Sequence, residues 1–228
     1  MAWAIVDAVF PPRCGGCARA GQRFCSTCQA TLHYLSSPVC ERCGYPIRTG
    51  GQCPVDHSPT AQTLSGVRSA AFFEGPLRHA VHRLKYHRDI ILADSLGQVL
   101  REAWQAFQLP GEVVIPVPLS AERLRERGYN QAALLARAFA ELAGLPYAPT
   151  GIARIRHSAS QVGLSAHERQ ANVSGAFEGR ANVVRGRSVI LVDDVCTTGA
   201  TLAACAEALR AAGAGQVWGL TLARPRFE

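Results

Sequence analysis

The sequence predicts an α/β protein, a parallel sheet covered by helices, preceded by a small cysteine-rich domain. Seven of its nine cysteines fall between residues 14 and 53. From about residue 66 onward, short continuous apolar runs alternate with segments of helical spacing, the pattern of a sheet buried on both faces. One of those runs ends in two aspartates and opens through a Thr-Thr-Gly loop into a helix. The expected division of the 228-residue chain is 1–60 and 61–228.

Apolar residue types make up 48% and charged types 18%. That is enough to build a packed core and argues against general disorder. No stretch approaches the ~20 apolar residues of a membrane-spanning helix. The segment MAWAIVDAVFPP has no basic leader, and Asp7 interrupts its apolar run. It reads as a short amphipathic helix rather than a signal peptide, so the cytoplasm is the expected location. The net charge of +7 favours anionic partners. It divides as +2 over residues 1–60 and +5 over the remainder, and Lys85 is the only lysine beside 23 arginines.

Cys14–Cys17, Cys25–Cys28 and Cys40–Cys43 are three C-x-x-C pairs, followed by Cys53 and His57. Two intervening residues let one tight turn aim two thiolates at a single ion, and Gly15, Gly16 and Gly44 suit such turns. Seven cysteines and one histidine fill two four-coordinate Zn²⁺ sites. The simplest grouping is consecutive: Cys14, Cys17, Cys25, Cys28, then Cys40, Cys43, Cys53, His57. A crossed grouping, first pair with third, remains open. A disulfide framework would call for secretion. With Phe10, Phe24, Leu32 and Leu35 and little else apolar, the segment cannot bury enough surface alone. Zinc would supply on the order of 10 kcal/mol per site, in a structural role because every position is filled by protein.

In the larger part, residues 77–86 and 89–107 have helical spacing, and 113–118 is a short buried strand ending in prolines. Residues 130–144 form a long helix stopped by Gly144. Residues 152–156 alternate, 188–194 are a second buried strand, 198–214 a helix and 216–224 a last strand. Between 157 and 187 periodicity is weak, and an irregular flap is expected there.

The most informative stretch is VILVDDVCTTGATLAAC, residues 189–205. Its strand delivers Asp193 and Asp194 to the carboxyl edge of the sheet, where ligands of open α/β sheets bind. Thr197, Thr198, Gly199, Ala200 and Thr201 then lead into a helix whose unpaired amides and dipole suit a phosphate. The carboxylate pair suits the vicinal hydroxyls of a ribose, or Mg²⁺ held through water. A solvated acid pair beside an ordinary helix cap is the plainer alternative. Together, a phosphate cradle and an acid pair describe a site for a phosphorylated ribose.

Val189–Leu202 resembles the fingerprint of type I phosphoribosyltransferases: four apolar residues, two acids and a Thr-Thr-Gly-x-Thr loop. The resemblance implies that Asp193 and Asp194 hold the ribose hydroxyls of phosphoribosyl diphosphate with Mg²⁺, and that Thr197 to Thr201 hold its 5-phosphate. Residues 115–136, 82–89 and 156–177 and the Cys-rich start are similar to the ComF branch, which includes the proteins called ComFC and GntX. Arg127-Gly128-Tyr129-Asn130-Gln131 is the most distinctive local word. His57 stands where that branch usually has a last cysteine. By resemblance, residues 116–130 surround the diphosphate, with Arg127, Gly128 and Asn130 foremost and Arg123 next, and Lys85 either reaches a phosphate or is an ordinary surface lysine. Arginine forks suit that work, although a solvated charged helix would look the same. Arg156, His157, Gln161 and Arg169 resemble a flap.

The resemblance also implies a role in natural transformation, with single-stranded DNA and a DNA-translocation helicase as partners. Phe24 and Tyr34, among the ribbon arginines, are candidate stacking residues. Two alternatives stay open: a phosphoribosyltransferase of nucleotide salvage, and a zinc-ribbon module that docks a protein. No general base and no nucleobase-recognising hood stand out, so transfer to an acceptor is not specified by the sequence, and neither is the oligomeric state.

Overall fold

The computed structural model describes residues 11–48, 51–55, 63–155 and 175–226. The expected N-terminal helix, the boundary near residue 60, His57 and most of the expected flap lie outside them. In chain order the elements are α1 (Ser26–Ala30), β1 (Gly66–Phe72), α2 (Gly75–Tyr86), α3 (Leu92–Ala106), β2 (Val113–Pro116), α4 (Ala121–Arg127), α5 (Gln131–Ala143), β3 (Ile152–Arg154), β4 (Phe177–Gly179), α6 (Ala181–Val184), β5 (Val189–Val195), α7 (Ala200–Ala211) and β6 (Val217–Arg224).

Four strands form a parallel sheet in the order β1-β6-β5-β2, and β3 and β4 form a separate antiparallel pair. The central strand β5 is apolar on both sides because both faces are covered. Ile190 and Val192 pack with Leu77, Leu96, Leu135 and Phe139, from α2, α3 and α5, on one face. Val189 and Leu191 pack with Leu202, Cys205 and Leu209 of α7 on the other. Close approach of α3 and α5 depends on Gly97, where a Cβ would lie 2.7 Å from that of Ala138.

β1 was not foreseen, since GVRSAAF carries Arg68 and Ser69 in a run that otherwise reads as a strand. Both polar residues have partners: Ser69 shares a 2.7 Å hydrogen bond with Thr221 of β6, and Arg68 donates to the Glu41 carbonyl. Of the segment expected to be irregular, residues 177–184 instead form β4 and α6.

The cysteine-rich part is not a separate bead. Cys14, Phe24, Cys28 and Leu32 join the core on the α2–α3 face. Its chain also extends the sheet edge: Leu35 donates to the Ala70 carbonyl at 2.8 Å, and Phe72 donates to that of His33 at 3.0 Å. Phe24 is therefore buried and unavailable for stacking. Gly15 and Gly16 lie in the turn of the first knuckle, as expected, and also serve this contact. A Cβ on Gly15 would meet Leu92 at 2.6 Å and one on Gly16 would meet Pro76 at 2.8 Å, whereas the left-handed position in that knuckle is Ala18. Gly44 does both jobs, with φ +69 and the Val67 carbonyl 2.2 Å from a would-be Cβ.

Candidate functional site

The thiols gather into two clusters, Cys14/Cys17/Cys25/Cys28 and Cys40/Cys43/Cys53, with sulfurs within 4.8 Å of one another in each. This is the consecutive grouping. The Cys14–Cys28, Cys17–Cys25 and Cys43–Cys53 sulfur separations are 3.6, 3.7 and 3.6 Å. Four sulfurs at ~2.3 Å from one tetrahedral zinc are ~3.8 Å apart, whereas a disulfide needs ~2.05 Å. Backbone amides point at the sulfurs as well, with Gly16 and Cys25 donating to Cys14 Sγ at 3.4 and 3.3 Å. Burial acts to raise the Cys14 thiol, but the amides of Cys25, Cys17 and Gly16 outweigh it and bring it down to about 6. Cys28 is driven upward by burial and then by its three sulfur neighbours. Cys53 is pushed up to about 12, first by burial. Crowded thiols that resist joint ionisation are what a divalent cation relieves.

At the carboxyl end of β5 the strand hands over to the loop 196–199. Cys196 still donates to the Ala223 carbonyl at 2.9 Å, which fixes the loop to β6. Gly199 then turns left-handed at φ +77, ψ 0, a conformation natural to glycine. α7 follows directly, and its N-cap, Gly199, offers no side chain to the first turn. Thr197 and Thr198 are exposed, while Ala200 and Thr201 are half-buried. Thr198 Oγ1 accepts from the Ala200 amide at 3.4 Å.

Asp194 is 3% exposed. Its Oδ1 lies 2.7 Å from Lys85 Nζ, reached from the last turn of α2. Its Oδ2 is buried with no hydrogen-bond partner among the described residues. Asp193 Oδ1 accepts the Asp194 amide at 2.8 Å. Burial, then the charge of Asp194, pushes the Asp193 carboxyl up to about 7 against the pull of Lys85, that amide and Arg123. Two adjacent carboxylates, one with an orphaned oxygen and the other reluctant to ionise, suit a cation or a pair of hydroxyls.

The other expected residues divide. Arg123, on the exposed helix α4, is close enough for its charge to act on Asp193 and Arg154. Arg127 instead donates to Gln131 Oε1 and lies 5.5 Å over the Tyr86 ring. Gly128 ends α4 at φ +85. Asn130 caps α5 by accepting from Ala132 and donates to the Val117 carbonyl at 2.9 Å, locking the exit of β2. Tyr129 donates to the Leu84 carbonyl and so ties α4 to the turn that carries Lys85. Arg154 escaped the sequence. It sits half-buried over Phe177, its charge weakened by burial first. Alternation in IARIR marks a strand and does not show that Arg154 packs over Phe177.

Residues 5–55 match the double zinc ribbon domain family, and residues 124–226 match the phosphoribosyl transferase domain family. Competence protein F of Haemophilus influenzae is 35% identical over 212 residues, spanning 87% of this chain and 90% of that protein. The chain belongs to the ComF family. DNA utilization protein YhgH of Salmonella typhimurium is 35% identical over 206 residues, 85% of this chain and 88% of that protein. Competence protein ComFC of Bacillus subtilis is 26% identical, over 89% and 85%. In this ComF-family chain both thiol clusters fall within the first matched stretch, and the β5–α7 loop falls within the second. Lys85 falls in neither. No described helix is long and apolar enough to cross a membrane.

Proposed function

We propose that this ComF-family protein binds phosphoribosyl diphosphate with Mg²⁺ at the carboxyl edge of β5 and serves the uptake and use of single-stranded DNA. The single observation that carries the ligand is the juxtaposition of the Asp193–Asp194 pair with a helix start entered through two exposed threonines and left-handed Gly199. The 5-phosphate would lie against the amides and hydroxyls of Thr197 to Thr201. Asp193 and Asp194 would hold the ribose hydroxyls or the hydrated Mg²⁺, with the unpartnered Asp194 Oδ2 as a ready acceptor. Bound Mg²⁺ would neutralise diphosphate charge. Arg123 adds a cation on the side of Asp193, while Arg127, Gly128 and Asn130 shape the loop around it.

Calorimetric titration of the wild type with phosphoribosyl diphosphate and Mg²⁺ should give saturable binding that Asp194→Asn loses. Equal heats from the two proteins would refute the assignment.

The names of the relatives, competence and DNA utilization, support the DNA role. Its partners would be single-stranded DNA and a translocation helicase. A surface for a strand is offered outside the ribbon. Tyr86 is 65% exposed, with Arg127 above its ring and His82 4.7 Å away. Arg123 and Arg125 are exposed on the neighbouring helix α4. Stacking on such a ring contributes about 1–3 kcal/mol per base. Tyr86→Ala should therefore weaken oligo-thymidine binding about tenfold with an unchanged salt slope. A gel shift in which the variant matches wild type at every salt concentration would move the strand elsewhere.

A further inference from the structure

The sole lysine of the chain spends its charge on the acid pair rather than on solvent. Lys85 Nζ is 2.7 Å from Asp194 Oδ1, with the side chains 22% and 5% exposed. Its position is fixed from two sides. Tyr129 holds the Leu84 carbonyl next to it, and Arg83 is braced between Asp89 at 2.7 Å and the Cys14 carbonyl at 3.2 Å. An ammonium group is a compact point charge. Placed on one oxygen of a buried carboxylate whose other oxygen has no partner, it occupies the place where a hydrated divalent ion would need negative charge.

We infer that Lys85 is the resident counter-ion of the Asp193–Asp194 pair, so that a divalent cation binds well only when a polyphosphate ligand draws the ammonium away. This rests on the reading of the β5 edge as a phosphoribosyl diphosphate site. A metal ion arriving alone meets a like charge a few ångströms off, and that repulsion weakens its binding. A diphosphate offers Nζ new oxygens, and the vacated carboxylate accepts the ion. Metal and ligand thereby favour each other, and the coupling is reciprocal. A carboxylate pair without such a cation would bind metal independently of ligand.

Mn²⁺, followed by electron paramagnetic resonance in the absence of any phosphoribosyl compound, probes the competition directly. Lys85→Met should bind Mn²⁺ at the site at least about tenfold more tightly than wild type, the order expected from removing one like charge nearby. Lys85→Arg, which keeps the charge, should stay weak. Loss of the tight Mn²⁺ signal on adding Asp194→Asn to Lys85→Met assigns it to this site. Equal Mn²⁺ affinities in wild type and Lys85→Met would overturn the inference, as would Lys85→Arg behaving like Lys85→Met. If the neutral variant is unstable, the ion-dependent rise of its melting temperature gives the same comparison. Failure of wild type to bind phosphoribosyl diphosphate would sink the ligand assignment separately, since the Mn²⁺ comparison uses none.

Discussion

Stripping zinc from the protein is expected to unfold the ribbon and to take much of the sheet with it. A structural zinc site contributes on the order of 10 kcal/mol, comparable with the whole stability of a domain at about 5–15 kcal/mol. The ribbon is not expendable to its neighbour, because Cys14, Phe24, Cys28 and Leu32 are buried among Leu77, Leu84, Leu92 and Leu96. Loss of the ion would release these contacts and the edge hydrogen bonds to Ala70 and Phe72. Two tryptophans report on the two levels. Trp218 lies 5.3 Å from Arg68, which bonds the Glu41 carbonyl beside the second cluster. Trp104 packs against Phe139 in the helical layer. With a strong chelator both signals should shift to one much lower melting transition, and added zinc should restore it. A Trp104 transition unmoved by the chelator would make the ribbon an independent appendage.

Asp193→Asn should make the ligand-free protein more stable while abolishing its binding of phosphoribosyl diphosphate. The wild-type carboxyl is pushed up to about 7 by burial and by the charge of Asp194, from an ordinary 3.8. The folded protein thus holds a proton that the unfolded chain releases, so Asp193 costs stability progressively as pH rises from about 4 to about 7, and by a constant amount above that. An amide has no proton to lose and can still accept from the Asp194 N–H, as the carboxylate does at 2.8 Å. At about pH 8 the variant should melt above wild type, by at least a few degrees for a chain of this size. The gain should shrink as the pH is lowered towards 5. A variant that melts below wild type at about pH 8 would show that the charge of Asp193 is already compensated in the folded protein.

The elements most legible in the sequence were those whose local chemistry agrees with their tertiary setting. β5 is a continuous apolar run because it is the buried centre of the sheet. Gly144 and Gly199 mark a helix end and a helix start, and both take positive φ. The C-x-x-C spacing delivered the thiol clusters because each knuckle is local. What stayed hidden depends on partners far along the chain. Arg68 and Ser69 disguise β1 until Thr221 and the Glu41 carbonyl are beside them. Lys85 meets Asp194 across more than a hundred residues, so its lone occurrence flagged it without saying what it pairs with. Phe24 stood among the ribbon arginines as a candidate stacking ring, in a segment poor in apolar residues. In fact that poverty is offset by borrowing the core of the neighbouring domain. Asn130 and Gly128 stand within a distinctive word, yet their hydrogen bonds and backbone angles serve the loop that presents the arginines.

The strand order has a consequence for how the chain comes to fold. β1 pairs within the sheet only with β6, and Ser69 and Thr221 in that register are 152 residues apart. During synthesis β1 leaves the ribosome long before the strand that completes it, and such distant pairings form slowly and leave sticky edges uncovered. The segment from His33 to Leu35, translated before β1, lies along its outer edge. A metal-loaded knuckle would give the nascent chain an early escort on that side, leaving only the inner side waiting for its late partner.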